Sequence, residues 1–363
     1  MHRFFPVRKV RTDLHPDPAA IRPLSTPSTP SAFSRAVSCF WTHGRVLLWA
    51  SLLLPIAPDA LTAHSVHPAF DPAPADSTRL NAPEPSPAAS PASLDTVQAY
   101  LQRAIAQFPN PTPSAIDYAQ AALSMSQKLG DPLMESRSNM ILAVSYYFKD
   151  FHSISNDYYR AALESPALPA DSKDRANIHS NMGINYEFLG QYDLALASYR
   201  TSIEIDRRLG DERSIGATLI NQALIYKAVS DLPRMRESLF EARAILEPLA
   251  DTLNLALIDQ NMSLYHAEIG NMDSLRWYAA RAEAVYEQQG FTVGLMEVYS
   301  NQLHHFTVVQ PDASAARRMV RRLRELDPEM RDGVMYSMLK LGEARLALLD
   351  GDVETAKAAL QIG

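Results

Sequence analysis

One uncharged polar side chain returns at a fixed step: Asn181, Asn221, Asn261 and Asn301 stand forty residues apart. Their neighbours return with them. Asn181 is followed by Met182, Gly183, Tyr186, Gly190, Tyr192, Ala195, Tyr199 and Ser202, and forty residues on the corresponding places hold Ala223, Tyr226, Ser230, Leu232, Met235, Leu239 and Ala242. A third copy reads Met262, Ser263, His266, Gly270, Met272, Leu275, Ala279 and Ala282, and a weaker fourth reads Leu303, Phe306, Gln310, Ala315 and Met319. Self-similarity at such a period means that each unit is one supersecondary element unable to bury its apolar face alone, so the units must stack. From Leu94 onward apolar residues recur at three- and four-residue spacing and strand signals are nearly absent, which makes the stacked element a pair of helices. The expectation is an all-α chain, folded as an α-α superhelical solenoid.

Residues 182 to 199 combine a Leu-Gly pair, an aromatic residue shortly after the glycine, and an Ala followed four residues later by an aromatic. This pattern resembles the tetratricopeptide repeat (TPR) family in a long, forty-residue form, as in exported TPR proteins and the input regions of bacterial signalling proteins. The small residue Gly183, Ala223 or Ser263 allows a second helix to approach closely, and Tyr186, Tyr226 or Phe306 fills the space one turn further on. Gly190 and Gly270 permit the positive φ that ends the first helix, while KLGD at 128 to 131 and RLGD at 208 to 211 end lengthened second helices. Further units extend the array. FKDFHSISNDYYRAAL at 148 to 163 reads as a turn and second helix, with Asn139 two residues out of phase with the marker. Residues 94 to 131 read as an opening pair, and GEARLALLDGDVETAKAAL carries the turn glycine Gly351 before stopping at Gly363 in mid-helix. The array is therefore expected over 94–363, with about six units and the last incomplete.

Ahead of it the character differs. Fifteen of the 25 prolines lie in the first 93 residues, which disfavours helix and sheet there. Arg35 and Arg45 precede the apolar run VLLWASLLLPI at 46–56, and PDALTA follows. Residues 1–63 thus read as a signal or targeting segment with a long basic n-region, Ala63 being the last residue if it is cleaved. The run is far short of the roughly 20 residues that cross a bilayer as a helix. Residues 64–93, rich in Pro, Ala and Ser, read as a disordered spacer. The expected location is outside the cytoplasm, periplasmic or secreted; the alternative is a chain anchored in the membrane by an uncleaved N-terminal segment. Cys39, the single cysteine, falls before the apolar run, so a cleaved chain has no disulfide and no Cys-based metal or redox site.

Charge narrows the function. Residues 1 to 63 hold seven Arg or Lys against three Asp, which leaves −11 of the formal −7 on the remainder and no basic domain for nucleic acid. The chain has no G-x-S-x-G, no HExxH and no phosphate-binding glycine loop. Asp206 with Glu204, and Asp251 with Glu247, sit at helix ends where acids are common. His304 and His305 are adjacent and diverge on a helix, unlike an i, i+4 metal pair. No cofactor and no catalysis are expected. Arg317, Arg318, Arg321, Arg322 and Arg324 form a basic stripe that reads either as an anion-binding surface or as a solvated outer face.

What remains is recognition. In the TPR family first helices line a concave groove, so the resemblance implies a ladder of Asn181, Asn221, Asn261 and Asn301 whose amides suit an extended peptide backbone. Asn177, Ile184 and Glu187 accompany the first rung, Leu224 and Lys227 the second, Gln260, Leu264 and Glu268 the third, and His304 the fourth. Alternatively each Asn bonds a neighbouring helix and holds the repeats in register. Two functions stay open: a non-catalytic scaffold for a protein or peptide ligand, with the membrane touched only through the export segment, or the sensory input region of a histidine kinase or transcriptional regulator whose output domain lies beyond this chain.

Overall fold

The computed structural model describes residues 93–108, 111–326 and 333–360. The expected targeting segment and nearly all of the spacer lie outside the described residues. Fourteen α-helices follow one another with no strand among the described residues. They are α1 Leu94–Ile105, α2 Pro113–Leu129, α3 Pro132–Tyr147, α4 His152–Leu163, α5 Lys173–Phe188, α6 Tyr192–Leu209 and α7 Glu212–Ala228. Then come α8 Leu232–Leu246, α9 Thr252–Glu268, α10 Met272–Gln289, α11 Thr292–His304, α12 Ala313–Leu326, α13 Gly333–Leu349 and α14 Val353–Leu360. Each odd-numbered helix packs on the even-numbered one after it, and each pair packs on the next. The first helices of adjacent pairs also touch, from α1 against α3 to α11 against α13. The fold is the expected helical solenoid, with seven pairs where about six units were expected.

The repeat has a backbone signature. Asp150, Gly190, Ser230 and Gly270, at φ of 61°, 69°, 60° and 71°, stand in the turns after four successive first helices, forty residues apart. Gly210, Ala250 and Gly290, at 71°, 48° and 64°, stand midway between them, after second helices. A left-handed residue turns the chain out of the helix while the next N–H still reaches a carbonyl of the last turn, as Gln191 N–H does at Tyr186 O and Asp211 N–H at Asp206 O, at 2.8 and 2.9 Å. The residue that follows caps the next helix. Asp211, Asp231, Asp251 and Asn271 accept from the N–H of Ser214, Arg234, Asn254 and Ser274 at 3.1 to 3.3 Å. Short connections of two to five residues, each holding this stop-and-start, thus join helices of 15 to 18 residues, and two helices with their two connections make the forty-residue step. The fourth copy departs from the rule: instead of a left-handed residue at Gln310, α11 runs on into a π-helical turn, His305–Val309.

Packing explains the small residues. A Cβ added at Gly183 would lie 2.4 Å from the ring of the buried Tyr199, so α5 and α6 cross where only glycine fits. Ala195, Ala223, Ala279 and Ala315 are buried at equivalent crossings, as is Phe306, whereas Tyr186 and Tyr226 are only half-buried. Polar links join the pairs. Buried Asp259 of α9 meets Arg243 of α8 and, at 3.1 Å, Arg281 of α10. Lys173 of α5 reaches Asp206 of α6 at 3.2 Å and the cap Asp211 of α7. The basic stripe on α12 is largely neutralised by other pairs: Arg317 meets Asp350, Arg322 meets Glu283 and Glu287, and Arg324 meets Glu343. That arrangement matches the outer-face reading.

Candidate functional site

The marker asparagines fall, as the register requires, on successive first helices: Asn181 on α5, Asn221 on α7, Asn261 on α9 and Asn301 on α11. Their surroundings differ from one another. Asn181, Asn221 and Asn261 are buried and Asn301 half-buried. A first helix is flanked by its own second helix and by the helices of both adjacent pairs, so its polar side is covered as well as its apolar one; over α7 every residue from Ile215 to Ile225 is buried. Asn181 bonds the hydroxyl of Tyr159 on α4, across to the preceding pair, and its Oδ1 has no partner among the described residues. Asn261 donates from Nδ2 to Leu257 O of its own helix at 2.9 Å. Asn221, 1% exposed, has no partner among the described residues at either Nδ2 or Oδ1. A buried amide without partners costs roughly 1 to 3 kcal/mol for each unmet group, and such a group in a native fold calls for an explanation.

Several residues expected beside the ladder have other work. Ile184 is 1% exposed and belongs to the apolar core between α3 and α7, so it does not line a ligand face. Gln260 is held on both sides, donating to Glu297 at 2.9 Å and accepting from Tyr286 at 2.9 Å, which ties α9 to α10 and α11. Asn177 and Leu224 are buried and Leu264 is half-buried. Glu187 accepts from the Tyr199 hydroxyl at 3.5 Å.

The remaining three come together. Lys227 of α7 pairs with Glu268 of α9 at 3.4 Å, with 17% of the lysine side chain exposed and 50% of the glutamate. Burial lowers the lysine's pKa, and Glu268 opposes that shift. His304 of α11 lies in the field of both and meets Arg345 of α13, Nη1 to Nδ1, at 3.2 Å. Arginine has only donors, so Nδ1 accepts and the imidazole proton sits on Nε2. Burial and then the Arg345 charge hold the His304 pKa below its ordinary value, which keeps it neutral near pH 7. His305 points elsewhere, its Nε2 3.0 Å from Met272 Sδ, so the two histidines do not converge. Arg345 was absent from the expected set. It stands 41 residues after His304, one residue beyond the forty-residue step, and counting from the turn at Gly351 would have found it.

The fold and this face define a class, a TPR-like helical solenoid with a mixed polar row on its first helices. No protein-family description and no curated relative matches the chain. Among solved structures it is similar to the aspartyl phosphate phosphatase F of Bacillus subtilis, with a TM-score of 0.58 and 19% identity over 73% of this chain and 68% of that one. It is equally similar to the apo form of RapI, with a TM-score of 0.58 and 13% identity over 72% of this chain and 94% of that one. A third likeness is to a signal-transduction ATPase with numerous domains and a tetratricopeptide repeat sensor, from Pyrococcus horikoshii, with a TM-score of 0.54 and 12% identity over 73% of this chain. This chain spans 41% of that one. At such identities the likeness shows the fold.

Proposed function

We propose that this protein is a non-catalytic TPR scaffold of the long, forty-residue kind that binds a peptide or protein segment along its first helices. The observation that carries the reading is the row of Lys227, Glu268 and His304, polar side chains on successive first helices that stay partly open to solvent. Such side chains can meet the polar groups of a peptide laid across the first helices. The left-handed residues recurring every forty positions support the long-repeat kinship. We place the scaffold outside the cytoplasm, with residues 1–63 as the export segment and 64–93 as the spacer; that placement rests on the sequence alone.

The test uses the full chain and fluorescently labelled, random-sequence peptide pools. His304→Ala is expected to weaken binding about fivefold, as loss of one ligand hydrogen bond implies. Its melting temperature should hardly move, because His304 is exposed. A lower melting temperature with unchanged affinity would assign His304 to the framework instead. A second reading, the sensory input region of a signalling protein, is favoured by the likeness to a structure whose tetratricopeptide repeats are named a sensor.

A further inference from the structure

The residue that opens a second helix stands 33 positions before one at the end of the following first helix, and at both ends of the array these two residues touch. His152 of α4 meets Asn185 of α5, ring Nδ1 to Oδ1, at 3.1 Å, a matched polar pair. The corresponding places then hold Tyr192 and Ile225, and Leu232 and Tyr265. In the last, His305 Nε2 lies 3.0 Å from Met272 Sδ of α10, and His305 Nδ1 has no partner among the described residues. His305 is 4% exposed. A thioether is a weak acceptor, so it offsets little of the cost of burying the imidazole. The backbone changes at the same point. His305 opens the π-helical turn, its carbonyl accepting from Gln310 N–H at 3.0 Å, where earlier copies close on a left-handed residue. Such turns are rare and frequently mark functional sites.

We propose that His305 Nε2 and Met272 Sδ form a binding site for a soft monovalent cation, Cu(I), where α10 begins and α11 ends. Imidazole and thioether side by side are donors that select Cu(I), which is satisfied by few ligands. Harder divalent ions need a fuller shell, and among the described residues no three His, Cys, Asp or Glu gather to supply one. The imidazole is in the form a metal requires. Burial holds its pKa below the ordinary value and keeps it neutral near pH 7, with Glu268 opposing that shift and Arg276 reinforcing it. In the bound form Nε2 gives its lone pair to the metal and the ring proton sits on Nδ1. Met272 is half-buried beside the exposed turn residues Gly270 and Asn271, which opens the sulfur side to an ion from solvent. The site does not depend on the peptide-binding reading.

The test is an oxygen-free titration of the full chain with Cu(I), in competition with the chromophoric chelator bicinchoninate. Cys39→Ser is carried throughout, because a thiolate binds Cu(I) more tightly than a thioether does. The parent is expected to take up one equivalent in its tight phase, with sulfur and nitrogen as the metal's neighbours in X-ray absorption. Met272→Leu and His305→Gln should each weaken that phase by at least about tenfold, since even outer partners of a bound metal are worth that much. Saturating Cu(I) should raise the melting temperature of the parent and leave that of Met272→Leu where it was. Leucine already stands at the equivalent place one unit earlier, Leu232, so Met272→Leu keeps the fold and decides the matter if His305→Gln disturbs it. No tight phase in the parent would overturn the site. So would an affinity unchanged in either folded variant, which would assign the metal to other methionines.

Discussion

Asn221 and Arg345 show what a sequence reveals at the scale of one residue. The recurrence of Asn at a forty-residue step is legible because a helical register repeats, and it correctly assigns all four to first helices. Whether an amide is satisfied is a different matter, decided by helices from other pairs: Tyr159, on the preceding pair, meets Asn181, while no described residue bonds the Asn221 amide. Ile184 was expected at the ligand face and is in the core for the same reason, since the next pair closes over it. Arg345 escaped notice because Leu341, not Asn, stands forty residues after Asn301, so the marker gives no hint of the α13 register. The Arg345 contact also makes a titration prediction. Facing His304 are Arg345, Lys227 and His305, which lower its pKa, and Glu268, which raises it. In Arg345→Gln the positive charge is gone and burial remains, so the His304 pKa, followed by NMR, should rise while staying below the usual value near 6.5. No movement, or a fall, would mean that Arg345 does not face the imidazole.

At the scale of the element, the turns were the most legible part of the chain. KLGD, RLGD, Gly190 and Gly270 announced left-handed stops, and all are there. The same geometry was hidden at Ser230 and Ala250, because a side chain other than glycine gives no local signal and only the register implies it. Those two positions should therefore carry strain. The left-handed region costs an L-residue roughly 1 to 2 kcal/mol, against which glycine's greater freedom in the unfolded chain returns part. Ser230→Gly is expected to stabilise the protein by about 0.5 to 1 kcal/mol, read as a higher denaturant midpoint with unchanged slope. Loss of stability would show that the Ser230 side chain makes a compensating contact. The π-helical turn at His305–Val309 was not legible at all. It replaces the tight stop in the fourth copy, whose sequence resemblance was the weakest, and it immediately follows His304.

For the whole molecule, the decisive fact is that the extensive contacts among the described helices run within a pair or to an adjacent pair. The four apolar clusters are correspondingly local: one spans α1 to α4, another α3 to α7, another α6 to α10, and the last α9 to α13. Stability should then be close to a sum of unit and interface terms, with damage staying near its source. Gly183→Leu tests this, because its side chain must displace Tyr199 at the α5–α6 crossing and overpacking costs typically 1 to 3 kcal/mol. Hydrogen exchange should show protection falling most in α5 and α6, less in α4 and α7, and hardly at all in α11 and α12. The buried Asp259 link from α8 through α9 to α10, and the Gln260 link from α9 to α11, lie beyond the lesion and keep that half in register. A uniform loss of protection from α1 to α12 would instead mean that the array opens as one cooperative body. Ligand binding at α7 to α11 would then be felt at α5 as strongly as a mutation there.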